Sequence, residues 1–203
     1  VGRLRVGFVG SMLYRGLPQW LERFRAEHPR IDVSLSELNT QEQIDALLRD
    51  QLDMGFIHTQ RVPDALQTMF VQADPFLVCL PQGHALAKKR KVALAGLRDE
   101  PFVLFSRQAS PDYFTRIIDL CAAQGFYPQL KHEVRHWLSV VSMVSQGLGV
   151  SVVPAPLQRA GLAGVVFKPL AQPGAPSEVH CAFKPEPELP ARQQLLALVQ
   201  AQR

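Results

Sequence analysis

The sequence holds little that would staple, anchor or strongly charge it. Its three cysteines, Cys79, Cys121 and Cys181, are an odd number without a CxxC pair. Each lies among apolar neighbours, as buried free thiols do, so a reducing, cytoplasmic compartment is the simplest home. No apolar run approaches the ~18 residues that a membrane span needs. The chain opens on strand-like RLRVGFVG (residues 3–10), with no charged segment leading into an apolar one. Neither export nor insertion is therefore expected, provided Val1 is near the natural start. The net charge is only +4, from 22 Lys+Arg against 18 Asp+Glu, too small an excess for a nucleic-acid surface across the whole chain. The one dense basic run, KKRK at 88–91, reads as a solvated loop. There is no GxSxG, and none of the cysteines has a visible general-base context, so hydrolase chemistry finds no support.

What is present is enough apolar residue for a sizeable core: 203 residues, 47% hydrophobic and 20% charged, as in globular proteins. Leu4, Val6 and Phe8 alternate as a strand; Leu13, Leu17, Trp20, Leu21 and Phe24 fall at helical spacing. IDVSLSEL (31–38) alternates again, Ile44, Leu47 and Leu48 are helical, and DMGFIH (53–58) is a short strand. This is βαβαβ, which demands parallel strands, right-handed crossovers and helices on each face.

The second half repeats the theme. PFVLF (101–105) is a strand, Phe114, Ile117, Ile118 and Cys121 share a helix face, and a strand is expected near Leu130 to Val134. A helix with Val140, Val141 and Val144 and the strand GVSVVP (149–154) follow. Between the halves, residues 68–89 form a long extended run whose Pro75 and Pro81 suit edge or crossover positions better than a central strand. After Pro/Gly-rich KPLAQPGAP (168–176), SEVHCAFK (177–184) is strand-like and Leu189 to Val199 is helical. The expected fold class is α/β, with two Rossmann-like subdomains: residues 1–74 with 176–203, and residues 75–175, joined by a two-segment hinge.

In an open parallel sheet, ligands bind beyond the carboxyl ends of the strands, where helix N-termini gather. Unpaired N–H groups and the helix dipole make such a place an anion site without a lysine. Four junctions qualify. Ser11 opens the first helix; NTQEQ (39–43) opens the second, with Asn39 and Thr40 as alternative caps and Thr40 in capping-box register with Gln43. SPDYF (110–114) sets Pro111 at the favoured first helical position, and RHWLS (135–139) opens the fourth. A crevice between the subdomains would then be lined by Ser11 and Thr40 on one wall and by Pro111, Tyr113, His136 and Trp137 on the other. Singly, each residue is an ordinary cap or core aromatic; together they suit a small carboxylate with an apolar or planar body.

HEVRH (132–136) matches the HExxH zinc motif, and a helix there would put His132 and His136 on one face. Pro128 and the alternation of Leu130, His132 and Val134 equally permit a strand, and the next His or carboxylate is the distant Glu178. No metal or other cofactor is expected. GLG (147–149), following a helix and preceding a strand, is more simply a C-cap and turn than a phosphate loop.

The order of elements, with HPRIDVSLSELNTQEQIDALLRDQLDMGFI (28–57), CLPQGHALA (79–87), LAGLRDEPFVLF (94–105) and VSMVSQGLGVSVVPA (141–155), resembles the effector-binding domain of LysR-type transcriptional regulators across essentially the whole chain. VGSMLYRGLP and ELNTQEQ most resemble the regulators of aromatic-compound catabolism that respond to muconate and related carboxylates. The resemblance implies a periplasmic-binding-protein type II-like fold that binds and does not catalyse. It implies that Ser11 and Thr40 hydrogen-bond an effector carboxylate, with Met12 and Leu13 beside them, and that Pro111, Tyr113 and Trp137 lie at the other end of the pocket. Tyr113, Trp137 and Arg15 depart from what a muconate binder would carry. The resemblance also implies homodimers through this domain, tetramers of the parent protein, and promoter DNA bound by a winged helix-turn-helix that this chain does not contain. A free-standing solute-binding protein of the same architecture is the alternative.

Overall fold

The alternation of Leu4, Val6 and Phe8 becomes β1 (Gly2–Phe8), with all three side chains buried. In the computed structural model, which describes residues 2–202, β1 lies between two parallel neighbours, β2 (Ile31–Glu37) and β3 (Met54–Ile57). The connections are α1 (Leu17–Glu27) and α2 (Thr40–Leu48). Helix α1 buries Leu17, Leu21 and Phe24, one face at helical spacing. The first helical stretch does not reach back to Leu13, as the spacing had suggested. Residues Gly10–Tyr14 form a separate 3-10 turn, and Gly16, at φ 103°, breaks the path before α1 begins. A side chain there would be strained by that φ, and its Cβ would sit 3.1 Å from the Trp20 ring.

The chain then runs through β4 (Gln67–Asp74), β5 (Phe76–Pro81), β6 (Pro101–Phe105), α3 (Pro111–Ala122), β7 (Gln129–Val134), α4 (Trp137–Ser145), β8 (Ser151–Pro154) and β9 (Val165–Pro169), and closes with β10 (Ser177–Phe183) and α5 (Pro190–Gln200). It divides into two compact units, Val1–Ala73 with Glu178–Arg203, and Asp74–Ser177.

In unit one the sheet order is β2-β1-β3-β10-β4. Strand β10 runs antiparallel to β3, with Cys181 opposite Phe56, so the sheet is mixed. Its core gathers Leu4, Val6, Phe24, Phe56, Val179 and Leu195. In unit two the parallel theme holds only for β6 and β7. Strand β5 pairs antiparallel with both β8 and β9 and is the central strand of its sheet. Of residues 68–89, expected at edge or crossover positions, β4 does lie at the edge of the unit-one sheet and Pro75 in the crossover to β5, whereas for β5 itself the expectation is corrected. Pro75 precedes β5 and Pro81 ends it, so neither removes an interior N–H from the ladder, and Phe76 to Leu80 are all buried. A parallel bridge between Phe102 and Val150 joins the two sheets of this unit.

HEVRH lies mostly in strand β7, with His136 beyond its end, so the shared helix face that HExxH chemistry needs is not formed. The KKRK loop is exposed throughout. His84, just before it, accepts the Leu86 N–H at Nδ1 and donates from Nε2 to Glu100 at 2.9 Å, which ties the loop down at its root.

At the other end of the β1–β3 pair, Arg5 grips Asp53. Its backbone N–H (2.6 Å) and Nε (3.1 Å) donate to one carboxylate oxygen and a terminal nitrogen (2.7 Å) to the other. Burial raises the Asp53 carboxyl, but these hydrogen bonds and the Arg5 charge outweigh it and hold it below the ordinary carboxylate range. Its contribution to stability is thus present above pH ~4 and is lost as pH falls through the lowered folded-state value. Asp53→Asn is expected to cost about 1–3 kcal/mol in urea titrations at neutral pH, and the gap to the parent chain should close as pH falls through the lowered folded-state value.

All three thiols are free and buried, and burial pushes each up to about 12. The expected result with a disulfide dye at neutral pH is negligible reaction in the native chain and full reaction of all three thiols in denaturant, because the thiolate is the reactive form.

Candidate functional site

Parallel β1, β2 and β3 end together, and the chain leaves each end differently. After β2, Asn39 caps α2: its side-chain oxygen accepts the Glu42 N–H at 2.9 Å, and the Glu42 carboxylate accepts the Asn39 N–H at 3.0 Å. This reciprocal cap settles the choice that the sequence left open and corrects the pairing of Thr40 with Gln43. With Asn39 as cap, Thr40 becomes the first helical residue, buried, and its Oγ1 accepts the backbone N–H of His58 at 3.2 Å.

The same register turns Gln43 inward. Its Nε2 donates to the carbonyls of Leu38 (2.8 Å) and Phe56 (3.0 Å), bracing the ends of β2 and β3 beneath α2. It fits because its floor is Gly7 and Gly55, paired across β1 and β3.

After β1, the 3-10 turn carries Ser11, Met12 and Leu13. Ser11 is buried and does not open an α-helix, so its contribution is the hydroxyl and not a helix N-terminus. Its Oγ stands 3.5 Å from Nε2 of His58. Met12 is fully buried in the unit-one core, and its N–H is used on Val9 O. Leu13 is exposed.

His58, directly after β3, is thus where Ser11 and Thr40 meet. Its ring reaches Ser11 on one side and, through Nδ1, the Glu178 carbonyl at 3.4 Å on the other. Sequence reasoning took this histidine only as a strand end. The available signal was its position, a polar residue at the carboxyl end of a parallel strand, the same rule that selected Ser11 and Thr40.

In unit two, Ser106 N–H donates to Val134 O at 2.8 Å, so the segments leading to α3 and α4 leave from adjacent strand ends. Pro111 is the first residue of α3, and Ser110 stands at its cap position. His136 occupies the cap position of α4 and is exposed. Tyr113 and Trp137 are buried; Tyr113 packs edge-on between Phe76 (5.8 Å) and Phe105 (5.3 Å), within the unit-two core. Among the described residues, no group of three or more His, Cys, Asp or Glu is placed to hold a metal ion, and no helix is long and apolar enough to cross a membrane.

Comparison with known proteins supplies the context for these strand ends. YnfL of Escherichia coli K12, an uncharacterized HTH-type transcriptional regulator, is 33% identical over 179 residues, 88% of this chain and 60% of that protein. BenM of Acinetobacter baylyi, also an HTH-type transcriptional regulator, is 29% identical over 183 residues, covering 89% and 60%. The solved BenM effector-binding domain with its effector benzoate superposes with a TM-score of 0.85 at 27% identity, over 98% of this chain and 91% of that one. The chain spans about 60% of the length of these full-length relatives. Its fold is that of LysR effector-binding domains, of the periplasmic-binding-protein type II-like kind. Residues 1–203 match the LysR substrate binding domain, and the chain belongs to that family.

Proposed function

We propose that this chain is the effector-sensing part of a cytoplasmic DNA-binding transcriptional regulator, and that it binds a small carboxylate, an aromatic acid or a muconate-like diacid, without transforming it. The observation that carries the reading is the convergence of the Ser11 and Thr40 side chains on His58 at the carboxyl ends of three parallel strands. Helix α2, nine residues long, starts at the same place and directs its positive dipole end there. The likeness to a BenM domain that holds benzoate supports the ligand class. In this reading promoter DNA is bound by another part of the parent protein, the parent acts as a homodimer or homotetramer, and the ligand shifts an equilibrium by its difference in affinity for two states.

A thermal-shift series with benzoate, substituted benzoates and cis,cis-muconate tests this. A ligand at a hundred times its dissociation constant stabilises by about 2.7 kcal/mol, which raises the melting temperature of a chain of this size by roughly 5–11 °C. Ser11→Ala and Thr40→Ala should each cut that shift by about half or more through a roughly tenfold or greater loss of affinity. Equal shifts in both variants and the parent chain would place the ligand elsewhere, and no shift with any of these acids would overturn the reading.

A further inference from the structure

We infer that His58 makes carboxylate binding proton-linked, by deciding which way the Ser11 hydroxyl points; the inference rests on the reading of Ser11 as a carboxylate donor. A backbone carbonyl can only accept. The Glu178 carbonyl, 3.4 Å from Nδ1, therefore selects the neutral tautomer with its proton on Nδ1. Nε2 is then a lone pair facing Ser11 Oγ at 3.5 Å. Ser11 has one proton, and it turns toward Nε2. The hydroxyl consequently presents oxygen lone pairs on its other side, the wrong partner for an anion.

Adding a proton from solvent to Nε2 reverses the order. Both ring nitrogens now donate, Nδ1–H to Glu178 O and Nε2–H to Ser11 Oγ, and the Ser11 O–H swings free to donate to a carboxylate. No covalent bond breaks except the one that delivered the proton. The imidazolium also adds a full positive charge beside the ligand. Thr40 is unaffected, because its Oγ1 accepts from the backbone N–H of His58 and not from the ring. His58 is thus a positioning residue acting through Ser11.

The ionisable groups on the elements that meet His58 are few. Strand β10 brings Glu178, whose carboxylate accepts from His180 Nε2 at 3.1 Å, and His180 itself, edge-on to Phe70. The 3-10 turn brings Tyr14 and, just after it, the buried Arg15. Helix α2 carries Glu42, committed to its cap, and Asp45, which accepts from Gln41 Nε2, and the segment after β3 carries Arg61 and Asp64.

Benzoate titrations followed calorimetrically between about pH 5.5 and pH 8.5 test the link, since imidazole titrates inside that window and benzoate stays ionised across it. One proton taken up per ligand tightens binding about tenfold per pH unit on the alkaline side, levelling off once the free chain already carries that proton. His58→Gln should bind with a flat profile, and Ser11→Ala with a slope clearly shallower than the parent's, since only the charge of the imidazolium remains to favour the anion. A flat profile in the parent chain, with benzoate still bound, overturns the proton link and leaves the carboxylate reading standing. A slope that survives in His58→Gln overturns it because the proton is then held elsewhere, and a slope that survives undiminished in Ser11→Ala overturns it because His58 then acts by its charge and not through Ser11. Failure to bind benzoate or cis,cis-muconate at any pH removes the carboxylate reading and the inference with it. Independently of any ligand, nitrogen NMR of the free chain at about pH 8.5 should show His58 protonated on Nδ1; the Nε2–H tautomer would refute the arrangement.

Discussion

Gly55→Ala is expected to lower the unfolding free energy by about 2–4 kcal/mol, read from urea titrations. A methyl at this position would lie 2.5 Å from Oε1 of Gln43. Strand β3 is buried along its length and flanked by β1 and β10, so it has no room to step aside. Gln43 is fully buried and must yield instead, giving up its bonds to the Leu38 and Phe56 carbonyls. Overpacking contributes about 1–3 kcal/mol and the disturbed hydrogen bonds about 1 kcal/mol each, partly offset by the better strand propensity of alanine. The mechanism has a distinctive signature. In Gln43→Ala/Gly55→Ala the new methyl enters the space that the amide leaves, so the pair should cost at least about 1 kcal/mol less than the sum of the single changes. Strict additivity would show that the two side chains do not compete for one volume. Because Gln43 braces the end of β3 that carries His58, Gly55→Ala should also weaken carboxylate binding.

Phe24→Ala should cost more still, about 3–5 kcal/mol. Phe24 has no exposed surface, lies on the α1 stripe with Leu17 and Leu21, and packs into the cluster with Leu4, Val6 and Phe56 while its ring meets His28 at 4.8 Å. Removing the ring loses its transfer free energy and leaves a cavity that a strand-backed helix face cannot collapse to fill. For a chain of this size the melting temperature should fall by roughly 6–20 °C. Phe24→Leu, which keeps most of the volume, should recover more than half of the loss. Equal melting points for the two variants would mean that the α1 face is not the packing element described.

Much of this was legible in the sequence, and what was not has physical causes. The βαβαβ opening was readable because Leu4, Val6 and Phe8 alternate and Leu17, Leu21 and Phe24 recur at helical spacing. Strand direction was not. A period of two is the same read forward or backward, so nothing in SEVHCAFK or PFLVCLP announced that β10 and β5 would run antiparallel to their neighbours. Ser11 and Thr40 were findable from their junctions, but their surroundings turned on single-residue details. Gly16 separated Ser11 from α1, and the Asn39–Glu42 cap shifted the register of α2 by one residue. That shift converted Gln43 from a surface capping partner into a buried brace. Tyr113 was ambiguous for another reason: an aromatic near a helix start can face a ligand or a core, and nothing in SPDYF announced the rings of Phe76 and Phe105 that flank it.

The order of strands in unit one also constrains how the polypeptide can mature as it leaves the ribosome. Strand β10 sits between β3 and β4 although it is the last strand made. Residues 2–73 therefore have to wait, with a gap in the middle of their sheet, until residues 177–183 emerge. The contiguous stretch Asp74–Ser177 needs nothing made later. Here the inserted unit is free to fold ahead of the unit that flanks it in sequence on both sides, so the order of synthesis of these two units is not their order of folding.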